Sequence, residues 1–339
     1  MRYRQKAQIG GRPMVTIKDV AKHAGVSASC VSKYLKDENS VRPHNRKQIA
    51  EAISKLNYIP SRAARSLRSG KTMAVKAIMP PISLPFFAEF FEYLRIHFAI
   101  SGYFLALHTL SSMDAPMTAE DFIDYDGVVI VFPDDDSVVA HVHTILSGMG
   151  RPLLVVSGTR YKEDIHTIYV NMEQGIMDVC QFLLDNDRKR ISFVGGTEKA
   201  TSSNIRFAGF KKAIPEEMQC GIYRGGFSMD WGYHAAQLMV KRSPLPDAVI
   251  CENDSLAAAI IKYMITHGIS IPDDMWVIGF DNIPMAEMYN PSISSVGMPS
   301  RDIAITAAIT LVAEINGEIP EYKQFDCNFI LRESTGHDS

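Results

Sequence analysis

The 339-residue chain has little of what usually announces chemistry. Its five cysteines, Cys30, Cys180, Cys220, Cys251 and Cys327, are scattered, odd in number and never in CxxC spacing, which argues for reduced thiols and against a metal site. There is no HExxH, and His141 and His143 stand two apart, on different faces of any helix, so both read as surface or internally satisfied side chains. No GxGxxG follows a strand-like run, and neither GxxxxGK[ST] nor a GxSxG elbow occurs. Catalytic residues, cofactor and metal are therefore all expected to be none. Asp134-Asp135-Asp136 reads as a solvated loop after Pro133, and Gly195-Gly196 as a turn. No run approaches the roughly 18 apolar residues that span a bilayer. The basic start MRYRQKAQIGGRP has no apolar stretch behind it and is not a secretory signal, so a cytoplasmic location with no membrane partner is expected.

Acidic residues are scarce in one region only. Residues 1–71 hold sixteen Lys and Arg against four Asp and Glu, a net charge of +12, whereas the remainder carries −15. A basic head attracts a polyanion and an acidic body does not lie along it. The basic residues are spread through short helix-like segments, which favours a folded nucleic-acid reader over a disordered tail.

The head itself reads as three helices. Thr16 and Asp19 have the form of a capping box, Ile17, Val20, Ala21 and Ala24 recur at helical spacing, and Gly25 supplies a left-handed stop. Ser27 is a second cap, with Val31 and Leu35 on the buried side of the helix that follows. A third helix starts near Pro43, with Ile49, Ile53 and Leu56 inward. A helix, a tight turn and a second capped helix make a helix-turn-helix.

The remaining chain alternates strand-like runs (Val75–Met79, Phe104–His108, Gly127–Phe132, Pro152–Ser157, Thr167–Val170, Arg190–Gly195, Ala248–Cys251, Trp276–Phe280) with amphipathic helices such as Phe87–Ser101, Gln174–Asp185 and Ser255–His267. That alternation predicts doubly wound parallel sheets, and the length suffices for two. The expected fold is a small all-α head plus a two-lobed α/β body, with any ligand beyond the carboxyl ends of the strands.

TIKDVAKHAGVSASCVSKYLK followed by LNYIPSRAARSLRSGKT resembles the head and hinge of the lactose-repressor family of bacterial transcription regulators. In the body, Pro85-Phe86-Phe87, Tyr125-Asp126-Gly127, Arg206-Phe207-Ala208-Gly209-Phe210, Asn253-Asp254-Ser255-Leu256-Ala257 and Gly279-Phe280-Asp281-Asn282 are similar to that family's effector-domain signatures. The resemblance implies a periplasmic-binding-protein-like body and three domains: a helix-turn-helix over 14–60, a hinge helix over 61–71 and an effector-binding and dimerisation domain over 72–339. Lobe one would span about 72–166 and 297–321, and lobe two about 167–293 and 322–339.

It also implies partners and site residues. The partners are double-stranded operator DNA, a small-molecule effector and a second copy of the chain. Ala28, Ser29 and Lys33 match the positions that meet base edges in the major groove. Thr16, Ser27, Asn45, Arg46 and Tyr58 match phosphate contacts, although for Tyr58 packing is an equal reading. Arg62 and Arg65 lie in the hinge segment, and Leu67 matches the apolar wedge that parts a base step in the minor groove. In the body Phe86, Phe87 and Phe227 would be walls, Arg206 a donor and Asp281 an acceptor, each Phe being equally readable as core.

Three departures from the family pattern stand out. Ser157-Gly158 replaces a frequent Asp-Arg pair, Asn171-Met172 replaces a frequent Asp-Asn, and His108–Asp124 is short and broken by Pro116, so that a helix is expected to be absent there. Two carboxylates that clasp sugar hydroxyls are thereby lost, with Asn171 left as the polar substitute. The expected function is therefore an effector-controlled repressor whose effector is a sugar or sugar derivative, the alternatives being a planar metabolite such as a purine as effector, or a ligand-binding α/β protein with a vestigial head.

Overall fold

The computed structural model describes residues 15–58, 71–110, 116–162, 164–321 and 323–337. The chain divides into two compact units, one ending at Thr72 and the other starting at Met73.

In the first unit, α1 (Ile17–Ala24) begins at Thr16, whose hydroxyl accepts from the Asp19 amide while the Asp19 carboxylate accepts from the Thr16 amide at 2.8 Å. Gly25, at φ 63°, takes the left-handed conformation that stops the helix. Ser27 caps α2 (Ala28–Lys36) through a 3.2 Å bond from the Cys30 amide, and α3 (Pro43–Lys55) starts with its proline in the first turn. Val20, Val31, Ile49 and the ring of Tyr58 close a small apolar core.

The second unit holds β1 (Ala74–Met79), α4 (Pro85–Ile100), β2 (Phe104–Thr109), β3 (Gly127–Val131), α5 (Asp136–Met149), β4 (Leu153–Ser157), β5 (His166–Asn171) and α6 (Met172–Asp185). It continues with β6 (Ile191–Gly195), α7 (Thr201–Ala213), β7 (Gln219–Arg224), α8 (Met229–Met239), β8 (Ala248–Cys251), α9 (Asp254–Thr266), β9 (Trp276–Asp281) and α10 (Pro284–Met288). The last elements are β10 (Ser294–Gly297), α11 (Ser300–Ile315), β11 (Lys323–Asp326) and β12 (Asn328–Ile330). The first sheet has the order β11-β5-β4-β3-β1-β2 and the second β12-β10-β9-β8-β6-β7. Central strands such as β3, β4, β6 and β8 are buried along their whole length, as expected where helices cover both faces.

The expected two-lobed α/β fold holds, with one detail to add and one expectation to correct. The first sheet is wholly parallel, but the second has an antiparallel edge, because β12 pairs β10 in the opposite sense. The cause is the connection: β11 leaves the first sheet at its carboxyl edge and reaches β12 through Cys327 alone. A strand that enters the second sheet from its carboxyl edge must run against its neighbours.

The expected lobe bounds also differ from the hydrogen bonding. Residues 167–171 and 323–326 belong to the first sheet through β5 and β11, and 294–297 to the second through β10. Strand composition marks where a strand starts; only its partners decide which sheet it joins. The chain thus crosses between lobes after Asn171, after Gly297 and at Cys327. Between β2 and β3 the described residues hold only a short 3-10 turn, Ala119–Asp121, in keeping with the interruption at Pro116. Arg151 donates to the carbonyls of Phe122, Ile123 and Tyr125, and Lys76 to that of Asp121 at 2.7 Å, so cations order the shortened segment.

Candidate functional site

A cavity of about 310 Å³ lies between the two sheets. It is lined by residues that follow the carboxyl ends of β1, β3, β5, β8, β9 and β10, the position expected for ligands of such sheets. On the first lobe, Pro85 starts α4 and brings Phe86 and Phe87 to the wall, with ring centroids 5.2 Å apart in an edge-to-face pair. Phe132 joins them at 5.9 Å from Phe86 and 6.4 Å from Phe87. Phe86 is almost fully buried and therefore also part of the core, whereas Phe87 is half-buried.

On the second lobe Phe227 lies across Gly196: a Cβ there would come within 2.2 Å of the ring. Gly195 makes similar room for Glu252. Both glycines are thus required by close approach, which the sequence reading as a turn missed. Glu252 is fully buried, accepting from the Gly196 amide at 2.8 Å and the Ser203 hydroxyl at 2.9 Å. Burial raises its carboxyl above the usual range, against the pull of Arg206 and these donors.

Arg206 is buried on α7 and donates to the carbonyls of Glu252 at 2.6 Å and Ser202 at 3.3 Å. Its guanidinium lies 4.7 Å from the centroid of Phe280 and 5.9 Å from that of Phe227. Asp281 ends β9 at φ 95°, a left-handed conformation that a non-glycine residue rarely holds and that marks functional sites. Its carboxyl stands well above the ordinary carboxylate range because it is buried, Arg206 opposing the shift and Asp254 and Glu252 adding to it. Neither Arg206 nor any other described residue forms an ion pair or hydrogen bond with that carboxylate.

Asn171 is not among the residues that line the cavity. It donates to Asp326 at 3.1 Å, and its neighbour Met172 forms the wall instead, its methyl filling the space a side chain at Gly158 would need. The sequence reading also passed over Phe132, Ser202, Glu252 and Asp134, all of which line the cavity. A signal existed for Asp134: like the other wall segments, it stands directly after a buried strand. Within the acidic triplet, Asp135 caps α5 by accepting from the Ser137 amide and Asp136 accepts from Tyr161.

In the head, Ser29 and Lys33 are exposed and four residues apart, hence on one face of α2, and Ala28 is half-buried beside them. Ser29 also meets the Ser27 hydroxyl at 2.8 Å. Thr16 and Ser27 serve as caps, Asn45 reaches the Cys30 sulfur at 3.7 Å, and Tyr58 lies in the core. Arg46 is half-buried, and its Nε has no hydrogen-bond partner among the described residues. Lys18, Lys22, Arg42, Lys47 and Lys55 are exposed around these positions. Arg62, Arg65 and Leu67 lie outside the described residues.

Residues 16–61 match the family model described as bacterial regulatory proteins, lacI family, and residues 180–335 a periplasmic binding protein-like domain. Catabolite control protein A of Priestia megaterium is 30% identical over 316 residues, covering 90% of this chain and 93% of that protein. The chain belongs to the lacI family of bacterial regulatory proteins. The HTH-type transcriptional repressor PurR of Actinobacillus pleuropneumoniae serotype 3 (strain JL03) is 29% identical over 337 residues, covering 95% of this chain and 98% of that protein. A crystal structure of the Lac repressor dimer bound to operator and the anti-inducer ONPF shares the fold, with a TM-score of 0.85 at 20% identity over 95% of this chain and 99% of that one. As a member of this family, the protein is a DNA-binding transcriptional regulator with a small-molecule effector domain. No helix among the described residues is long and apolar enough to cross a membrane.

Proposed function

We propose that the protein is a cytoplasmic homodimeric repressor whose two heads read a pseudo-palindromic operator, with half-sites about one helical turn apart. It carries out no turnover. Ser29 and Lys33 meet base edges, with Ala28 against a thymine methyl. Thr16, Ser27, Asn45, Arg46 and the Tyr58 hydroxyl hold phosphates, and Arg62, Arg65 and Leu67 engage the minor groove. The effector sits between the lobes, against Phe86, Phe87 and Phe227, with Arg206 and Asp281 at its polar edge. The observation that carries this reading is an aromatic-walled cavity between the lobes containing a carboxylate, Asp281, that accepts no hydrogen bond from any described residue and has Arg206 as its opposing charge.

The favoured effector is a sugar or sugar derivative. Solved structures of the same fold include the transcriptional regulator CelR in complex with cellobiose and an Enterococcus faecium regulator with bound ribose. A planar metabolite is the second reading, favoured by Met172 standing where a polar wall was expected while Asn171 turns to Asp326. A mobility-shift assay against genomic fragments tests the regulator. Binding below micromolar at low salt, falling steeply between roughly 50 and 200 mM salt, is expected of a protein that neutralises several phosphates. No binding to any fragment, with turnover of a sugar or nucleoside instead, would replace the regulator with an enzyme.

A further inference from the structure

The charge balance inside the cavity restricts what can enter it. Four acidic residues line it, Asp134, Glu252, Asp254 and Asp281, against one basic residue, Arg206. Two of the acids are satisfied internally. Glu252 accepts from Gly196 and Ser203, and Asp254 accepts from the Ser295 hydroxyl at 2.5 Å and the Ile283 amide at 2.8 Å. Arg206 directs Nη1 and Nε to main-chain carbonyls, so neither forms an anion clamp. The carboxylates of Asp134 and Asp281 accept no hydrogen bond from any described residue, and both are displaced upward by burial with Arg206 as the opposing charge. The rings of Phe86, Phe87, Phe132 and Phe227 line the same cavity.

Aromatic faces attract cations, and buried carboxylates need a positive partner. We propose that the cavity selects an effector bearing a protonated amine or another organic cation, set between Asp281 and Asp134 with its charge against the phenylalanine faces, and that it rejects phosphate esters and carboxylates. The proposal rests on the reading of this cavity as the effector site and narrows it: an amino sugar fits, a sugar phosphate does not. An incoming anion would meet two carboxylates that accept no hydrogen bond from any described residue, with Nε and Nη1 of the single guanidinium already engaged.

Calorimetric titration of the full chain with matched probes tests this: choline against its neutral isostere 3,3-dimethylbutan-1-ol, and glucosamine against glucose and glucose 6-phosphate. The cationic member of each set is expected to bind about tenfold tighter than its neutral partner, the range of a desolvated cation–aromatic contact, and the phosphate weakest. Asp281→Asn, which keeps the shape and tolerates the left-handed backbone, should bring each pair to within about threefold. Asp134→Asn, at an exposed position, should narrow the gap without threatening the fold. Equal or tighter binding by a neutral or phosphorylated member overturns the proposal, as does failure of both amines to bind. If glucose or its phosphate binds and loses affinity in Phe227→Ala, the cavity remains the effector site and only the charge selection falls.

Discussion

Thr201 donates both its amide, at 3.0 Å, and its hydroxyl, at 3.3 Å, to the carbonyl of Asp134. The pair ties the first residue of α7, on the second lobe, to the segment after β3 on the first, next to the cavity-lining residues Asp134 and Ser202. Thr201→Pro removes both donors at a site that accepts proline: it is the first helical position, and Ala200 before it is already extended at φ −79° and ψ 115°. Two hydrogen bonds contribute about 0.5–1.5 kcal/mol each, so effector affinity should fall about tenfold or more with little change in melting of the empty protein. Thermal shift with and without effector reads both quantities, and unchanged affinity would show that closure does not use this latch.

Gly196→Ala tests the Phe227 wall without touching the ring. The added methyl would sit 2.2 Å from Phe227 Cζ, so the ring must swing aside. The body should fold, because the clash is with the free end of a side chain, while effector binding weakens by about 1–2 kcal/mol as a stacking face is lost. Titration of both forms, with circular dichroism to establish folding, checks it.

The acidic cluster predicts a pH dependence of stability. Burial raises the Asp254 carboxyl to about 7, opposed by the donors Ser295 and Ile283, whereas an unfolded aspartate titrates near 3.9. The folded state therefore holds a proton that the unfolded chain has already released. Stability from this group is fully present below about pH 4 and is lost as pH rises to about 7, at about 1.4 kcal/mol per unit of displacement at most. Glu252 and Asp281, also raised, act in the same direction. Urea midpoints should fall from pH 5 to 7.5, and Asp254→Asn should flatten that slope. An unaltered slope would mean that Asp254 ionises freely in the fold.

In the head, Lys33→Ala should relax base preference at one major-groove position, costing about 1–3 kcal/mol on the cognate site and less on random DNA. Leu67→Ala should cost a similar amount by leaving a kinked step unfilled. Competition assays with operator and random duplexes distinguish the two from simple phosphate contacts. A loss equal on both duplexes for Leu67→Ala would contradict the wedge.

The head and eight strands were legible because each is announced locally: caps at Thr16 and Ser27, a left-handed Gly25, and unbroken apolar runs such as Gly127–Val131. The strands that escaped notice lack that signature. β10 is Ser-Ser-Val-Gly, buried but polar, with Ser294 and Ser295 satisfied by Thr335 and Asp254. β11 is an exposed edge, Lys-Gln-Phe-Asp, defined only by its partner β5. For the cavity, Phe86, Phe87, Arg206, Phe227 and Asp281 were placed by resemblance and do converge in space. Asn171 does not, because its carboxamide is drawn to Asp326, a residue 155 positions away whose approach no local pattern announces. Asp134 was hidden by its neighbours, since a run of three aspartates reads as a solvated loop, and all three are exposed although the first also lines the cavity.

The three crossings between lobes also bear on how the molecule is made. The first sheet lacks its edge until residues 323–326 exist, and the second lacks β12 until 328–330. During synthesis the head, complete within the first 60 or so residues, has a closed core long before either sheet is whole. A ribosome that stalls late, or a frameshift close to the 3′ end of the message, therefore spoils both lobes together instead of trimming one. The product would be a folded DNA-reading head joined to a body that cannot respond to ligand, so late truncations should behave as loss of regulation and not as loss of one lobe.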